Sequence, residues 1–285
     1  MTRRVVITGL GIVSPVGNST EQFFSNLMSG ISGIKRLQSS FVEQLAVKIG
    51  APVSDFNPSR HFSKIQLTGI ERFSQMALVA AEQAVHDAKL VLNENEQARA
   101  GIYMGSCLGG AGTLEDGYVE IFKSEKPRIK PLSVLLSMNN AAASHISIKY
   151  HLQGPNITYS TACSSSAIAI GEAYRQIKHG YADVMLAGGA EAMLTLGAMK
   201  AWEALRTLAT EDANDAMATN RKTWKRPMAR PSMALPRLRL RVIPIRPNTI
   251  DPRKPTVYKM AISSASHCAV TIKAQSRLTT ESSPQ

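Results

Sequence analysis

Residues 154–171 read GPNITYSTACSSSAIAIG. The apolar and β-branched pattern of residues 156–161 predicts a strand, and the Ala- and Ile-rich pattern of residues 164–179 predicts a helix. Cys163 therefore lies in a short turn between a strand and a helix. The unpaired N–H groups and partial positive charge of a helix N-terminus favour a thiolate over a thiol. This position makes Cys163 a candidate nucleophile.

The same turn also suits acyl chemistry. Helix N-terminal N–H groups can hold the oxyanion that forms when sulfur attacks an acyl carbonyl. Small neighbours, Ala162 and Ser164 to Ser166, leave room for a thioester substrate. The alternative interpretation is a cysteine that packs as a small buried hydrophobic residue. Other segments of the chain are needed to decide between the two.

The segments around this turn predict the fold class. Buried strands alternate with helices along the chain, and a glycine-rich turn at residues 109–112 follows the second strand. This order is typical of an α/β fold in which a mostly parallel sheet is flanked by helices. The predicted strands cover residues 5–13, 100–105, 156–161 and 182–189, and the predicted helices cover 21–29, 70–92, 135–150 and 164–179.

Four segments together resemble the β-ketoacyl-acyl-carrier-protein synthases. They are VVITGLGIVSPVGN at 5–18, GSCLGG at 105–110, GP with TACSS at 154–165, and AGGAE at 187–191. Their order and spacing agree with the family, and the resemblance covers roughly residues 3–216. It is closer to the condensing synthases of fatty acid and polyketide pathways than to degradative thiolases.

The resemblance implies a fold and a function. The family has a thiolase-like layered α/β sandwich of two similar halves, and this chain would supply the N-terminal half. Cys163 would accept an acyl group from acyl carrier protein, and malonyl-carrier protein would then condense with it after decarboxylation. Leu108 would line the acyl pocket and Trp202 would lie near an aromatic gate. The strand through Tyr159 would pair across a homodimer axis, and no cofactor or metal is implied.

The chain departs from the family after about residue 216. The family's second half supplies two histidines, a lysine and a Phe-Gly-rich loop, but no His-Gly-Thr segment occurs here. We interpret His267 and Cys268 as incidental. We therefore expect a truncated chain that is impaired in condensation, because the acid–base groups are missing. A half-sandwich is also expected to expose the apolar face that its partner half should cover.

The last part of the chain has a different composition. Residues 221–285 hold 14 Lys and Arg against Asp251 and Glu281, which accounts for the whole net charge of +12. They hold eight of the 14 prolines and no glycine. We therefore divide the chain into a synthase N-terminal domain, 1–216, and a basic Pro- and Arg-rich tail, 217–285. The tail is interpreted as disordered, as an arm for nucleic acid or a membrane surface, or, the reading we favour, as the product of a frameshift near residue 217.

Composition narrows the cellular setting and the function classes. Three cysteines favour a reducing compartment, and the apolar stretch near the N-terminus is too short for a signal peptide or a membrane span. We expect a soluble, cytoplasmic protein without membrane or nucleic-acid partners. Three hypotheses remain open: an elongating synthase, a catalytically deficient subunit that binds carrier protein or forms a heterodimer, and a nucleic-acid binder acting through its tail.

Overall fold

The computed structural model describes residues 3–124 and 128–209, together with the backbone of residues 267–274. Within these described residues, seven strands are formed: β1 Val5–Val13, β2 Lys35–Arg36, β3 Ile49–Gly50, β4 Ala100–Gly105, β5 Asn156–Tyr159, β6 Val184–Gly189 and β7 His267–Ala274. The α-helices are α1 Thr20–Met28, α2 Lys64–Thr68, α3 Arg72–Asp87, α4 Glu94–Ala98, α5 Ala111–Phe122, α6 Ser133–Ser137, α7 Ala141–Tyr150, α8 Ser165–Lys178 and α9 Leu196–Ala204. Short 3₁₀ helices lie at Val42–Gln44 and Pro58–Arg60.

The main sheet has five strands in the order β1-β7-β6-β4-β5. Strand β4 is parallel to both β5 and β6, whereas β7 is antiparallel to its two neighbours, β1 and β6. Strand β1 therefore runs in the same direction as β4, β5 and β6. The prediction of a mostly parallel sheet is confirmed, with β7 as the one reversed strand among the described residues.

Helices cover both faces of this sheet. On one face, Ile102 and Met104 of β4 are buried in one cluster with residues of α3 and α7; α7 contacts β4, and α3 lies on β1 and β7. On the other face, Ala169 and Ala173 of α8 pack against Tyr103. Every residue of β4 and of β6 is buried, as expected for strands that are covered on both sides. The chain thus forms a helix–sheet–helix layer unit.

The predicted helix boundaries are refined by capping. The helix predicted at 70–92 is shorter, because Glu71 caps its start by accepting the N–H of Phe73 at 2.8 Å. It ends before Lys89, whose φ of 46° is left-handed. The helix predicted at 135–150 is divided into α6 and α7 by the extended backbone of Met138. Helix α5, which follows the glycine-rich turn, was not predicted.

Two glycines of β1 allow α3 to lie directly on the strand. A Cβ at Gly9 would lie 2.1 Å from the carbonyl oxygen of Ala84, and one at Gly11 would lie 1.9 Å from that of Ala80. The N–H groups of Leu10 and Ile12 donate to side chains of α3, at 2.9 Å to Asp87 Oδ2 and 2.9 Å to Gln83 Oε1. The glycine-rich opening strand is therefore required by close helix–strand packing.

Replacing Gly11 by alanine is expected to destabilise the fold. The new methyl would meet backbone, which cannot rotate away, so we expect a loss of about 1–3 kcal/mol or more in the free energy of unfolding. Urea unfolding followed by circular dichroism measures this. The matched control is Gly171→Ala, because a Cβ there meets nothing within 4 Å. That helix substitution should stabilise by about 0.5–1 kcal/mol. Equal midpoints for the two variants would contradict the packing.

Eight residues of the basic tail take part in the sheet. Strand β7 pairs with β1 from Val5↔Ala274 to Val13↔His267 and with β6 from Val184↔Lys273 to Gly189↔Cys268. Within the described part of the chain, β1 is hydrogen-bonded to the sheet only through β7. The structure differs here from the expectation of a disordered tail. The rest of that prediction, residues 217–266 and 275–285, lies outside the described residues, so its origin stays open.

None of the helices that the structure describes is both long enough and apolar enough to cross a membrane.

Candidate functional site

The site is built on the turn between β5 and α8. Strand β5 ends at Tyr159, α8 begins at Ser165, and Cys163 lies between them with an exposed side chain. The predicted strand–turn–helix arrangement is confirmed. Cys163 is thus not the buried, packed cysteine of the alternative interpretation.

Backbone strain and serine hydroxyls hold this turn. Ala162 has a φ of 52°, in the left-handed region that non-glycine residues seldom adopt. The Ser165 hydroxyl donates to the carbonyl of Ala162 at 2.7 Å and accepts the N–H of Thr161 at 2.8 Å. The Ser164 hydroxyl donates to the carbonyl of Thr161 at 2.7 Å. These bonds fix the sharp turn that leaves the Cys163 side chain exposed.

Two further glycines bring the ends of β4 and β6 against the start of α8. A Cβ at Gly105 would lie 2.3 Å from the backbone of Ser165 and Ser166. A Cβ at Gly189 would lie 2.6 Å from the Cβ of Ser166. Glycine at both positions is required for this approach. The first turn of α8 therefore rests on the carboxyl edge of the parallel strands.

The glycine-rich segment 105–110 lies at the same edge. The N–H of Ser106 donates to the carbonyl of Tyr159 at 3.1 Å, which ties the segment to the strand before Cys163. Gly109 has a left-handed φ of 51°, and the side chain of Leu108 is 41% exposed. Asn139 donates to the carbonyl of Cys107 at 3.2 Å. Leu108 and Cys163 thus lie on segments that follow adjacent strands.

Trp202 lies on α9, with its side chain 40% exposed. Met199 of the same helix is buried with Leu37 and Leu45 in a separate small cluster. The neighbouring Glu203 accepts the N–H of Val47 at 2.9 Å. The gating role of Trp202 stays a prediction, as does the pocket role of Leu108.

Two carboxylates behind the glycine-rich segment were missed by the sequence reasoning. Glu191 follows β6, and its Oε2 accepts the N–H of Cys107 at 2.7 Å and that of Leu108 at 3.2 Å. Burial raises the pKa of Glu191, and backbone N–H groups counteract that rise. Burial also raises the pKa of Glu71 to about 7, with nearby Glu191 and Asp116 adding to the rise. The AGGAE motif contains Glu191, but its partners are distant in sequence.

The raised pKa of Glu71 predicts a pH-dependent stability. The folded chain keeps a proton that the unfolded chain releases near pH 4.5, so stability falls as the pH rises from about 4.5 through about 7. Glu71→Gln should remove this fall and stabilise the protein at pH 8 by about 1–3 kcal/mol. Urea unfolding at pH 5 and pH 8 measures the difference.

The matched control for Glu71 is Glu82→Gln. The Glu82 carboxylate forms a surface ion pair with Lys149 at 2.9 Å, so its loss should change stability by less than about 1 kcal/mol at either pH. An unchanged pH dependence in Glu71→Gln would contradict the burial of that carboxyl group.

Four of the histidines that the structure describes lie outside the turn that carries Cys163. His61 stacks on Phe56 with ring centroids 5.7 Å apart. His145 lies half-buried on α7, where burial lowers its pKa and a hydrogen bond to the Gly69 backbone opposes that fall. His151 and His179 occupy the C-caps of α7 and α8. Among the residues that the structure describes, no group of three or more His, Cys, Asp or Glu could hold a metal ion.

Known proteins support the assignment of the fold. The family model of the β-ketoacyl synthase N-terminal domain matches residues 2–223, past residue 216 where the sequence prediction ends the domain. The 3-oxoacyl-[acyl-carrier-protein] synthase 2 of Staphylococcus aureus strain COL is 36% identical over 210 residues, which cover 74% of this chain and 51% of that protein. Its counterpart from Coxiella burnetii is 36% identical over 222 residues, with 78% and 53% covered.

Solved structures support the same assignment of the fold. A type II polyketide synthase complex of an acyl-carrier protein with its hexaketide-bound ketosynthase matches with a TM-score of 0.66 and 28% identity, covering 76% of this chain and 52% of that one. A β-ketoacyl synthase from Burkholderia phymatum has the same fold, with a TM-score of 0.70 at 22% identity over 96% of this chain and 59% of its own. The chain spans about half the length of the curated relatives it matches. It carries the N-terminal domain of the β-ketoacyl synthases and belongs to that family.

Proposed function

We propose that this chain is the nucleophile-bearing half of a 3-oxoacyl-[acyl-carrier-protein] synthase and that it accepts an acyl group onto Cys163. One observation carries the proposal. The Cys163 side chain is exposed at a strained turn, with Ala162 in a left-handed conformation, immediately before α8. Strain of this kind is concentrated at functional sites, because it fixes a side chain in a geometry that the backbone would not otherwise adopt.

The acylation step needs no oxidant and no cofactor. The sulfur of Cys163 attacks the carbonyl carbon of an acyl thioester on the carrier protein, and a new carbon–sulfur bond forms. The bond to the carrier's sulfur breaks, and the proton lost by Cys163 ends on the released thiol. The N–H of Ser165 already donates to the carbonyl of Ala162 at 3.2 Å. The next N–H groups of α8, those of Ser166 and Ala167, have no acceptor within the helix, and we assign the stabilisation of the oxyanion to them.

Condensation is the step in which this chain is impaired. Malonyl-carrier protein would lose CO₂, its carbanion would attack the Cys163 thioester, and the new carbon–carbon bond would free the thiol. General acid–base and electrostatic groups are needed for that step. Of the histidines that the structure describes, His61 stacks on Phe56 and His145 is hydrogen-bonded to the backbone of Gly69.

The partners follow from the same proposal. Acyl carrier protein is the donor of the acyl and malonyl groups, and the relatives are named as synthases that act on acyl-carrier protein. A homodimer through β5 is supported by the exposed side chain of Ile157, at 44%, and by the position of β5 at one edge of the sheet. We propose a cytoplasmic location, in fatty acid or polyketide chain elongation, without nucleic-acid binding.

A catalytically deficient subunit is the second candidate function. The outward face of α8 is favourable for a partner chain, because Ile168 and Tyr174 are exposed and a Cβ at Gly171 would meet nothing within 4 Å. A heterodimer would cover this face. Such a subunit would bind carrier protein or a complete synthase without condensing.

Mixing the purified full chain with acyl-carrier protein tests the first proposal. Intact-mass spectrometry should show a mass increase equal to the acyl group, and peptide mapping should place it on Cys163. Malonyl-carrier protein is then added, and we expect no 3-oxoacyl product. Formation of product would overturn the impairment. A chain that is never acylated but co-elutes with carrier protein or a complete synthase would favour the second candidate.

A further inference from the structure

Glu191 connects two strand ends at the proposed acyl site. It follows β6 by two residues, and its carboxylate reaches the segment that follows β4. Its Oε2 accepts the N–H of Cys107 at 2.7 Å and of Leu108 at 3.2 Å, with further backbone bonds to Gly109 and Ala192. The carboxylate therefore holds the glycine-rich segment from beneath.

The remaining contacts of that segment act on other atoms. Ser106 Oγ accepts the N–H of Gly109 at 3.2 Å, and Asn139 donates to the carbonyl of Cys107 at 3.2 Å. Only the Glu191 contact, among the described residues, holds the N–H of Leu108. Since the side chain follows its backbone, the orientation of Leu108 depends on this carboxylate.

The surroundings of Glu191 favour a fixed position over a mobile one. Its second oxygen, Oε1, is buried and has no hydrogen-bond partner among the described residues. Glu71 is one charged group close to it, since Glu191 adds to the rise in the pKa of Glu71. The backbone N–H groups that Oε2 accepts are therefore the contacts that hold this carboxyl group in place.

We propose that Glu191 is a positioning residue for the acyl site, which fixes the backbone of Cys107 and Leu108 and thereby sets the wall that the acyl chain meets. This proposal rests on the proposed function, because Leu108 can meet an acyl chain only if the protein accepts one on Cys163. Glu191 does not touch the reacting atoms. It acts through Leu108, so it should influence which acyl chains are accepted rather than the chemical competence of Cys163.

Three full-length variants test this. Glu191→Ala removes the acceptor, Glu191→Gln keeps one oxygen in place, and Glu115→Ala is the matched control. Glu115 also accepts a backbone N–H, that of Gly197 at 2.8 Å, but it lies on α5 and not beneath the glycine-rich segment. Two readouts are used: amide hydrogen exchange at Cys107 and Leu108, and the relative rates of Cys163 acylation by short-, medium- and long-chain acyl-carrier proteins.

We expect Glu191→Ala to speed exchange at both amides by about 10-fold or more and to change the ratio of acylation rates between chain lengths by about 10-fold. Glu191→Gln should stay within about threefold of the parent, and Glu115→Ala should change neither readout. Unchanged exchange in Glu191→Ala would overturn the proposal. Faster exchange with an unchanged chain-length ratio would also overturn it, because Glu191 would then serve the fold alone.

Failure of the proposed function gives a different result. If the parent chain is not acylated by any donor, the proposed function falls, and with it the role of Leu108 as a substrate wall. Hydrogen exchange would still report whether Glu191 holds the segment. If Glu191→Ala fails to fold, Glu191→Gln and Glu191→Asp decide, since aspartate is one methylene shorter and should withdraw from the N–H groups. An Asp variant that behaves as the parent in both readouts would contradict the proposal.

Discussion

Replacing Cys163 by alanine is expected to abolish acyl transfer from acyl-carrier protein, with no acyl group detectable on the chain. The thiol is the nucleophile of the proposed step, and the hydroxyls of the two serines that follow it are engaged with the backbone. Ser164 and Ser165 use their hydroxyls to donate to the carbonyls of Thr161 and Ala162. Intact-mass spectrometry after incubation with the acyl donor measures the loss.

The fold should survive this substitution. Because the side chain of Cys163 is exposed, its truncation opens no cavity, and a change in stability within about 0.5 kcal/mol is expected. Cys107→Ala is the matched control. Cys107 is the other free cysteine among the described residues, it is half-buried, and only its backbone is engaged by Glu191. A chain that keeps its acyl group in Cys163→Ala and loses it in Cys107→Ala would overturn the assignment.

Ending the chain at residue 266 is expected to cost several kcal/mol, comparable with the total stability of about 5–15 kcal/mol of a domain. The truncation removes β7, to which both β1 and β6 are hydrogen-bonded. The facing edges of β1 and β6 would lose their partners, and unpaired buried backbone groups cost about 1–3 kcal/mol each. We expect loss of cooperative urea unfolding and binding of a hydrophobic dye.

Two controls distinguish the effect of losing β7 from the effect of losing the rest of the tail. A chain that ends at residue 277 keeps β7 and should unfold like the parent. A synthetic peptide of residues 264–277, added to the chain that ends at 266, should restore cooperative unfolding by filling the gap in the sheet. The same peptide with Val270→Pro should not, because proline cannot donate to the ladder. Parent-like unfolding of the shorter chain without peptide would contradict the place of β7 in the sheet.

Local patterns predicted four of the five described strands of the main sheet and the helices α1, α3, α7 and α8. Strands β4 and β6 are apolar throughout because both faces are buried, and the Cys163 turn follows from a strand pattern that meets a helix pattern. Helix ends were less accurate, since the capping contact of Glu71 and the left-handed Lys89 depend on side chains and backbone angles that periodicity does not contain.

Strand β7 shows the limit of local patterns. Val270, Thr271 and Ile272 are good strand formers, and no proline occurs between Pro255 and Pro284. The prolines and arginines earlier in the tail predicted an irregular segment, and this short strand pattern was therefore not recognised. The partners of β7 begin at Val5 and Val184, so the pairing that stabilises it is far away in sequence.

The site was predicted in part. Cys163 is at the predicted turn because strand and helix patterns are local, whereas Glu191 and Glu71 acquire their environment only when β4, β6 and α3 are assembled. Nothing in the sequence AGGAE predicts that its glutamate is buried. The position of Trp202 on α9 was equally beyond local patterns, because it depends on how α9 packs on Leu37 and Leu45.

The two borders of the main sheet differ in a way that limits self-assembly. At β1, the N–H groups of Leu10 and Ile12 already donate to Asp87 and Gln83, so an incoming strand cannot pair with these two donors. At the other border, β5 pairs only with β4 among the described residues. A sheet with one closed and one open border can join a second copy only open side to open side. Edge addition is therefore expected at β5, while Asp87 and Gln83 of α3 oppose it at β1.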